Sequence, residues 1–400
     1  MDRVEIPSYF LCPISLQIMR DPVIVSTGIT YDRENMEKWI YIYKKKTCPM
    51  TNLAMDPDLT PNHTLRCLIK SWCIIHASNG VECVPSPRPP IPNEEILHLL
   101  SVSRGFKIEP LSKLKVLAMD SEIMRRRLEA AGAVKTMVGL VLDKQAREVH
   151  NSMVLEEALC ILHLLQITED EVKHFTANGY DGLIESLAWV FHNGSNQSKL
   201  CASLISRTIF KMVEVGVLMG LKDELFRGMV HVLVNRMSNL GTKAVLHALM
   251  EVCTWGRNGV KACKAGLVPA LVEFLIETLE EKSCELLLGV LDLLCGISEG
   301  RSELLKHRAG LAVVSKKILR VSPVADEHAV NILWSICKYC DCEEVSREML
   351  QVGAVAKLCI VVNFEGDSKA KRRARKVLVL KSREWKYSSC VPGHLLSRYP

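Results

Sequence analysis

The sequence predicts a mainly α-helical chain in which a small α+β module precedes an α-solenoid of repeated helices. Apolar residues make up 48% of the 400 residues but aromatic residues only 6%, which is typical of packed helices. Cys, Pro, Thr and Gly are dense before residue 77, whereas similar glycine-containing segments recur after residue 94. A chain of this length exceeds the size of one hydrophobic core, so we expect more than one structural unit.

The first module spans residues 5–77 and begins with a loop followed by a hairpin. Apolar residues alternate in Asp21–Tyr31 on both sides of a Ser-Thr-Gly sequence, which predicts two short strands with a turn at Gly28. Asp32 stands where a helix N-cap is expected. The helix that follows is predicted to bury one stripe, formed by Met36, Trp39, Ile40 and Tyr43.

A second helix of the module is predicted after a loop that contains Pro49. Pro61 ends the preceding extended segment, and Asn62 can cap the helix. Its predicted buried stripe consists of Leu65, Leu68, Ile69 and Trp72.

About 70 residues give a marginal hydrophobic core, so such a module commonly needs a bound metal or another cross-link for stability. Two zinc sites would require closely spaced Cys and His pairs, and no CxxC pair exists before the linker. We therefore predict no metal, and we expect side-chain hydrogen bonds and ion pairs to hold the loops. The sequence leaves the pairing open among Asp21, Thr30, Asp32, Arg33, Glu34, Thr51 and Asn62.

A proline-rich segment, residues 78–93, predicts an extended linker and marks a domain boundary. Helical repeats are predicted over residues 94–385, followed by a tail at 386–400. The repeats carry glycines 43 to 47 residues apart, with one doubled gap that the segment LKDELFRGMVHVLVNR fills; we interpret these glycines as turn-forming or close-packing residues. They are Gly132, Gly179, Gly266, Gly310 and Gly353.

Longer apolar helices, such as CELLLGVLDLLCGI, separate the glycine segments. One repeat cannot bury such a face alone, so stacked neighbours must share a continuous core. The period favours armadillo or HEAT repeats. We expect the concave side to bind an extended partner.

Bulk properties exclude several classes of protein. A net charge of +6 with interspersed signs does not indicate nucleic-acid binding. The most apolar segment is too short to cross a bilayer and contains Asp292, so no membrane span is expected. Sixteen cysteines lie mostly in helical patterns, and the N-terminus lacks an apolar signal core, which indicates reduced thiols in the cytosol or the nucleus.

Two charged or cysteine-rich segments receive ordinary structural interpretations. The segment KAKRRARK, residues 369–376, resembles an import signal, but Ala370, Ala374 and Val377 recur at helical spacing. We therefore interpret its charges as the solvated face of the last repeat helix. The segment CKYCDC contains Cys337, Cys340 and Cys342 without a second ligand pair, so no zinc site is predicted.

The run IPSYFLCPISLQIMRDPVIVSTGITYDRENMEKW, followed by TCPMTNLAMDPDLTPNHTLRCLIKSWC, resembles the U-box of plant ubiquitin ligases. The linker, the repeats and the ending ARKVLVLKSREW resemble the plant subgroup in which a U-box precedes armadillo repeats. The resemblance implies a RING-like fold without zinc and a scaffold-type ligase that needs no cofactor. Such a ligase has no nucleophile of its own and holds a charged conjugating enzyme near a substrate lysine.

Position in the motif implies specific roles. Contacts with the conjugating enzyme fall on Ile14, Leu16 and Pro49, with Cys12, Pro13, Trp39 and Asn52 in support. Family members often carry a basic residue where this chain has Asn52. The implied U-box scaffold consists of Asp21, Gly28, Tyr31, Asp32, Arg33, Pro61, Asn62 and Leu65.

Other functions stay open at this point. One alternative is an armadillo adaptor or transport receptor that only binds. Another is nucleic-acid binding through the basic C-terminal helix. The resemblance implies a substrate protein on the armadillo groove and a role in plant stress or defence signalling, while self-association is left open.

Overall fold

A computed structural model of the chain describes residues 6–76, 91–148, 151–168, 171, 180–236, 238–340, 342–364, 368–386, 388 and 391. Most of the linker, at residues 78–90, and Gly179 lie outside the described residues. Of the tail at 386–400, only residues 386, 388 and 391 are described. The chain divides into two compact units, Met1–Thr136 and Met137–Pro400.

The first unit begins with the predicted α+β module. After a short 3-10 turn at Ser8–Phe10, the elements are β1 Pro22–Ile24, β2 Thr30–Asp32, α1 Arg33–Glu37 with a π-helical extension Lys38–Ile42, β3 Thr60–Pro61 and α2 His63–Ile75. The strands form a sheet in the order β2-β1-β3, and β1 pairs antiparallel with both neighbours.

Local sequence signals explain the hairpin and the second helix. Val23 and Val25 point into the core, while Gly28 provides the positive φ of +81° that the turn requires. Asn62 caps α2, because its side-chain oxygen accepts a hydrogen bond from Leu65 N at 3.1 Å. The buried core consists of Phe10, Cys12, Met19, Val23, Val25, Tyr31, Met36, Cys48, Ile69 and Cys73.

Three details of the predicted helices were wrong. Asp32 precedes α1, but its carboxylate accepts from Arg20 N and Asp21 N and does not cap the helix. Tyr43 is exposed because the helix widens at residues 38–42, where Tyr43 N bonds to Lys38 O and shifts the apolar stripe. Leu68 is also exposed, at the solvent edge of the stripe on α2.

The first unit also contains the first helices of the repeat region: α3 Asn93–Ser103, α4 Ile108–Asp120 and α5 Glu122–Ala130. Arg127 of α5 is nearly buried and donates to Ile91 O at 2.6 Å and to the Asn93 side chain at 2.8 Å. Its guanidinium also lies 3.8 Å from the Glu37 carboxylate. Burial raises the pKa of Glu37, and the charge of Arg127 partly offsets this effect.

The second unit consists of stacked helices. Their bounds are α6 Ala133–Leu142, α7 Ser152–Leu165, α8 Tyr180–Asn193, α9 Asn196–Met212, α10 Val215–Met219, α11 Asp223–Val234, α12 Asn239–Cys253, α13 Asn258–Lys264, α14 Leu267–Glu277, α15 Glu281–Cys295, α16 Ser298–Lys306, α17 Gly310–Lys317, α18 Pro323–Tyr339, α19 Glu343–Gln351, α20 Ala354–Asn363, α21 Lys369–Leu380 and α22 Ser382–Trp385. The long helices follow one another in a row, each packed against the next, in the order α7, α9, α12, α15, α18 and α21.

The repeat glycines serve two different purposes. Gly266 adopts a φ of +85° immediately before α14, so it is needed for its backbone conformation. Gly310 has no such φ, but a Cβ placed there would lie 2.1 Å from Leu304 O. This position therefore requires glycine because two backbone segments approach closely.

Charged side chains also join successive repeats. Glu185 of α8 accepts from Arg147 at 2.5 Å and from Lys222 at 2.7 Å, two residues that flank it in the neighbouring repeats. The hydrogen bond from Arg147, followed by that from Lys222, lowers the pKa of Glu185 to about 2. The carboxylate is therefore ionised at neutral pH and stabilises the contact between repeats.

Within the described residues, no helix combines the length and the apolar character needed to cross a bilayer.

We expect Gly310→Ala to destabilise the repeats by about 2 kcal/mol or more, because either the backbone or the Leu304 carbonyl must move. Thermal unfolding followed by circular dichroism measures the change. Gly139→Ala is the matched control, since this exposed helical glycine has open space around its Cβ position. The control should be neutral or stabilise the chain by up to about 1 kcal/mol; equal effects of the two variants would contradict the close-packing role.

Candidate functional site

Two loops of the first module adopt the same backbone pattern. Loop one (residues 11–18) and loop two (residues 47–54) are each closed by an isolated β-bridge. In loop one, Leu16 N donates to Cys12 O, and in loop two Asn52 N donates to Cys48 O, both at 2.8 Å. Each loop thus contains a turn that starts at a Cys-Pro pair and ends at a residue with a φ of +56°.

The two cysteine sulfurs hold these loops from inside. Cys12 and Cys48 are fully buried. Cys12 Sγ accepts from Asp32 N at 3.3 Å, and Asn35 Nδ2 lies 3.6 Å from the same sulfur. Cys48 Sγ accepts from Thr27 Oγ1 at 3.3 Å and lies 3.1 Å from the Tyr31 hydroxyl. The cysteines thus serve as hydrogen-bond acceptors as well as core residues.

Two elements place the loops next to each other. Consecutive residues of β2, Tyr31 and Asp32, bind the cysteines of loop two and loop one. The helix after β2 repeats this arrangement one turn apart: Asn35 donates to Ser15 Oγ at 3.0 Å in loop one, and Trp39 Nε1 donates to Thr47 O at 2.7 Å in loop two. Strand β2 and α1 with its π-helical extension thus determine the spacing of the loops.

Burial and hydrogen bonds shift the pKa values of these groups. Burial raises the pKa of the Tyr31 hydroxyl, which keeps its proton and can donate it to sulfur. Burial also raises the pKa of the Cys48 thiol, but the hydroxyls of Thr27, Thr51 and Tyr31 together outweigh burial and lower it to about 6. The donors around loop two therefore favour a sulfur with thiolate character.

A second network anchors the start of β1. Asp21 pairs with Arg33 at 2.6 Å and with Arg66 at 3.4 Å. The Asp32 carboxylate accepts from Arg20 N and Asp21 N, both at 2.8 Å. Burial raises the pKa of Asp32, and these two N–H donors partly offset that effect.

The outer surface of both loops is apolar. Leu16 is 73% exposed, and Ile14 is 37% exposed. Met50 and Leu53 of loop two are 62% and 63% exposed, although neither was recognised from the sequence. Leu16 also has a positive φ, which a leucine adopts only at an energetic cost. A strained and exposed leucine contributes little to folding, and backbone strain of this kind is concentrated at functional sites in proteins.

The other predicted site residues differ in their exposure. Pro13 and Pro49 are half-buried, Trp39 packs against the core, and Asn52 is exposed. Pro61 pairs with Val23 in the sheet. Among the described residues, no group of three or more His, Cys, Asp or Glu side chains is arranged to hold a metal ion.

Comparison with known families agrees with this architecture. Residues 6–78 match the U-box domain, and residues 94–400 match the plant U-box protein ARM repeat region. E3 ubiquitin-protein ligase PUB23 of Arabidopsis thaliana is 42% identical over 100% of this chain and 98% of its own length. E3 ubiquitin-protein ligase PUB22 of the same plant is 37% identical over all of both chains.

A solved structure extends the fold comparison. It is described as "A conserved phosphorylation switch controls the interaction between cadherin and beta-catenin in vitro and in vivo". One of its chains superposes with a TM-score of 0.61 at 11% identity, over 82% of this chain and 62% of that chain. At this identity the likeness shows the fold alone.

A small α+β module with two matched loops, followed by a row of stacked helices, defines a U-box protein with armadillo repeats. The chain belongs to the plant U-box family, and it is a U-box E3 ubiquitin-protein ligase.

We expect Tyr31→Phe to loosen loop two, because Cys48 Sγ loses a donor and Met50 N, 3.3 Å from the hydroxyl, loses an acceptor. Hydrogen–deuterium exchange at Met50 and its neighbours should become faster, with a local loss of about 1 to 3 kcal/mol. Tyr9→Phe is the control, since Tyr9 is exposed. Unchanged exchange in loop two of Tyr31→Phe would argue against a structural role for this hydroxyl.

Proposed function

We propose that loops one and two recruit a ubiquitin-charged conjugating enzyme and that the repeats hold the protein whose lysines are modified. The observation that carries the proposal is the pair of rigid loops with exposed apolar tips, above all Leu16 at a positive φ. Ile14, Leu16 and Pro49 form the proposed contact surface, and Met50 and Leu53 extend it. The relatives PUB22 and PUB23 are named as E3 ubiquitin-protein ligases, which supports the proposal.

The proposed mechanism uses positioning without a covalent intermediate on the ligase. Cys12 and Cys48, the thiols nearest the proposed surface in sequence, are fully buried and hydrogen-bonded to strand β2. A thioester on the carrier could not reach either sulfur without opening the core. The ligase would instead hold the thioester and a substrate amine together, which replaces a bimolecular encounter by an oriented one.

The docking surface suits a transient complex. A few exposed side chains on two short loops bury a small area, which is typical of weak and rapidly exchanging partners. Rapid exchange also suits a reaction in which the spent carrier must leave. A tight and long-lived complex with the carrier would contradict this part of the proposal.

The cellular setting belongs to the same proposal. The described cysteines are thiols outside disulfides, which is consistent with the cytosol or the nucleus. Similarity to the plant U-box family motivates a role in stress or defence signalling.

We expect Leu16→Ala and Ile14→Ala each to reduce ubiquitin transfer about tenfold, as loss of an apolar contact of roughly 1.4 kcal/mol implies. The measurement is formation of ubiquitin conjugates with activating enzyme, a conjugating enzyme and the purified ligase. Leu279→Ala is the control, because Leu279 is 92% exposed in the second unit and lies outside both loops. Full activity of both loop variants across a panel of carriers would refute the proposed surface.

We expect Asn52→Arg to increase transfer, because the plant U-box resemblance implies a basic residue at this position that stabilises the carrier's closed state. Asn52 is exposed and has a φ of +56°, so arginine can extend into solvent at a backbone cost of about 1 kcal/mol. Single-turnover discharge of a charged carrier onto free lysine measures the effect. Asn52→Gln separates charge from side-chain length, and an equal gain with glutamine would contradict a role for charge.

A further inference from the structure

Helix α21 carries an unusual stripe of positive charge. Lys369, Arg372, Arg373 and Lys376 are spaced at i, i+3, i+4 and i+7, which places them along one face of the helix. The buried residues Ala370, Ala374 and Val377 occupy the opposite stripe, as the sequence predicts. We call these four cations the basic stripe.

The basic stripe lines an open cavity on the solvated face of α21. Its four side chains border about 410 Å³ together with Glu327 and Asn331 of α18. Lys369 Nζ lies 3.6 Å from the Glu327 carboxylate. The nearby Asp292 carboxylate bonds to His328 and Asn331, at 3.0 and 3.2 Å. Four cations and the Glu327 carboxylate thus border the same open cavity.

The arrangement is unfavourable for α21 itself. Like charges at i, i+3 and i, i+4 repel each other by about 0.2 to 0.5 kcal/mol per pair. The first turn contains no acidic residue, although a helix N-terminus favours negative charge. A bound anionic group would relieve both effects.

One member of the stripe is already oriented. The Arg373 guanidinium lies 5.9 Å from the ring centre of Trp334 on α18. Such a cation–π contact restricts the side chain while its N–H edge can still bind a carboxylate with two hydrogen bonds. Because Arg373 is already restricted, it loses less side-chain entropy when a ligand binds.

We propose that the basic stripe binds an extended acidic segment of the protein held by the repeats, with two carboxylates separated by one residue. Residues at i and i+4 of a helix are roughly 6 Å apart along its axis. Alternate residues of an extended chain are roughly 6.6 Å apart. Two carboxylates on one edge of the segment thus have about the same spacing as Lys369 and Arg373, and as Arg372 and Lys376.

A nucleic acid fits the same site less well. The stripe is only roughly 10 Å long, and a protein that binds nucleic acid spreads its cations along a longer backbone. Glu327 lies on the cavity wall and would repel a continuous row of phosphates. A peptide can place an uncharged residue beside Glu327, so we choose a polypeptide ligand.

This inference rests on the proposed function, because it describes the partner that the repeats would hold. The test uses the full chain and a fluorescein-labelled peptide of ten residues in which Glu and Ser alternate. A peptide with Gln in place of Glu and a single-stranded ten-nucleotide DNA serve as competing probes. Fluorescence anisotropy at fixed ionic strength gives each affinity.

We expect the Glu peptide to bind about tenfold more tightly than the Gln peptide, and more tightly than the DNA. Lys376→Glu should weaken binding of the Glu peptide about tenfold. Arg375→Glu is the matched control, since it changes the net charge equally on the same helix but does not line the cavity; we expect less than about a twofold effect. Lys376→Gln replaces Lys376→Glu if the latter unfolds.

Equal weakening by Lys376→Glu and Arg375→Glu would overturn the site, because net charge alone would explain it. Equal binding of the Gln peptide, or tighter binding of the DNA, would also overturn it. Ubiquitin self-modification by the unmodified chain tests the proposed function separately. Normal self-modification without peptide binding refutes only the basic stripe, whereas peptide binding by an inactive chain supports the stripe and refutes carrier recruitment.

Discussion

The first module depends on hydrogen bonds from strand β2 to two buried sulfurs. Tyr31 and Asp32 are adjacent, so the hydroxyl of one and the amide N–H of the other reach different loops from a single strand. In a dry interior, each such bond is stronger than at the surface, and losing either partner leaves a polar group unsatisfied. These hydrogen bonds link chain segments that are distant in sequence, as a bound metal ion does in other small modules.

Rigid loops change what an exposed apolar side chain can do. Leu16 and Asn52 occupy equivalent positions, since each ends the turn that starts at the cysteine of its loop. Both have a φ of +56°. Asparagine tolerates this conformation, but leucine does not gain from it. Because the turn from Cys12 O to Leu16 N keeps the backbone fixed, the leucine is displayed before any partner binds. Preorganisation of this type allows a small surface to bind with a lower entropy cost.

Sequence patterns predicted what depends on local periodicity and on backbone chemistry. The hairpin turn at Gly28, the Asn62 cap and the buried stripe of α21 all follow from residues within one or two turns of each other. Hydrogen bonds between residues far apart in sequence could not be predicted, because the same residue type can bond to several kinds of partner. Asp32 bonds to backbone N–H groups 11 and 12 residues earlier in place of its own helix. The exposure of Met50 likewise depends on how loop two is tied to Trp39, which no periodicity encodes.

The two units offer physically different surfaces to the proposed partners. Loops one and two present apolar side chains on a backbone held by polar bonds, so we expect the proposed docking to depend on shape. The row of long helices has an apolar core, and polar side chains such as His328 and Asp292 pair across neighbouring helices. Like charges lie along one face of α21, where they repel each other. Shape selection suits a carrier of constant structure, whereas a charged face can accept varied segments that share only their acidity.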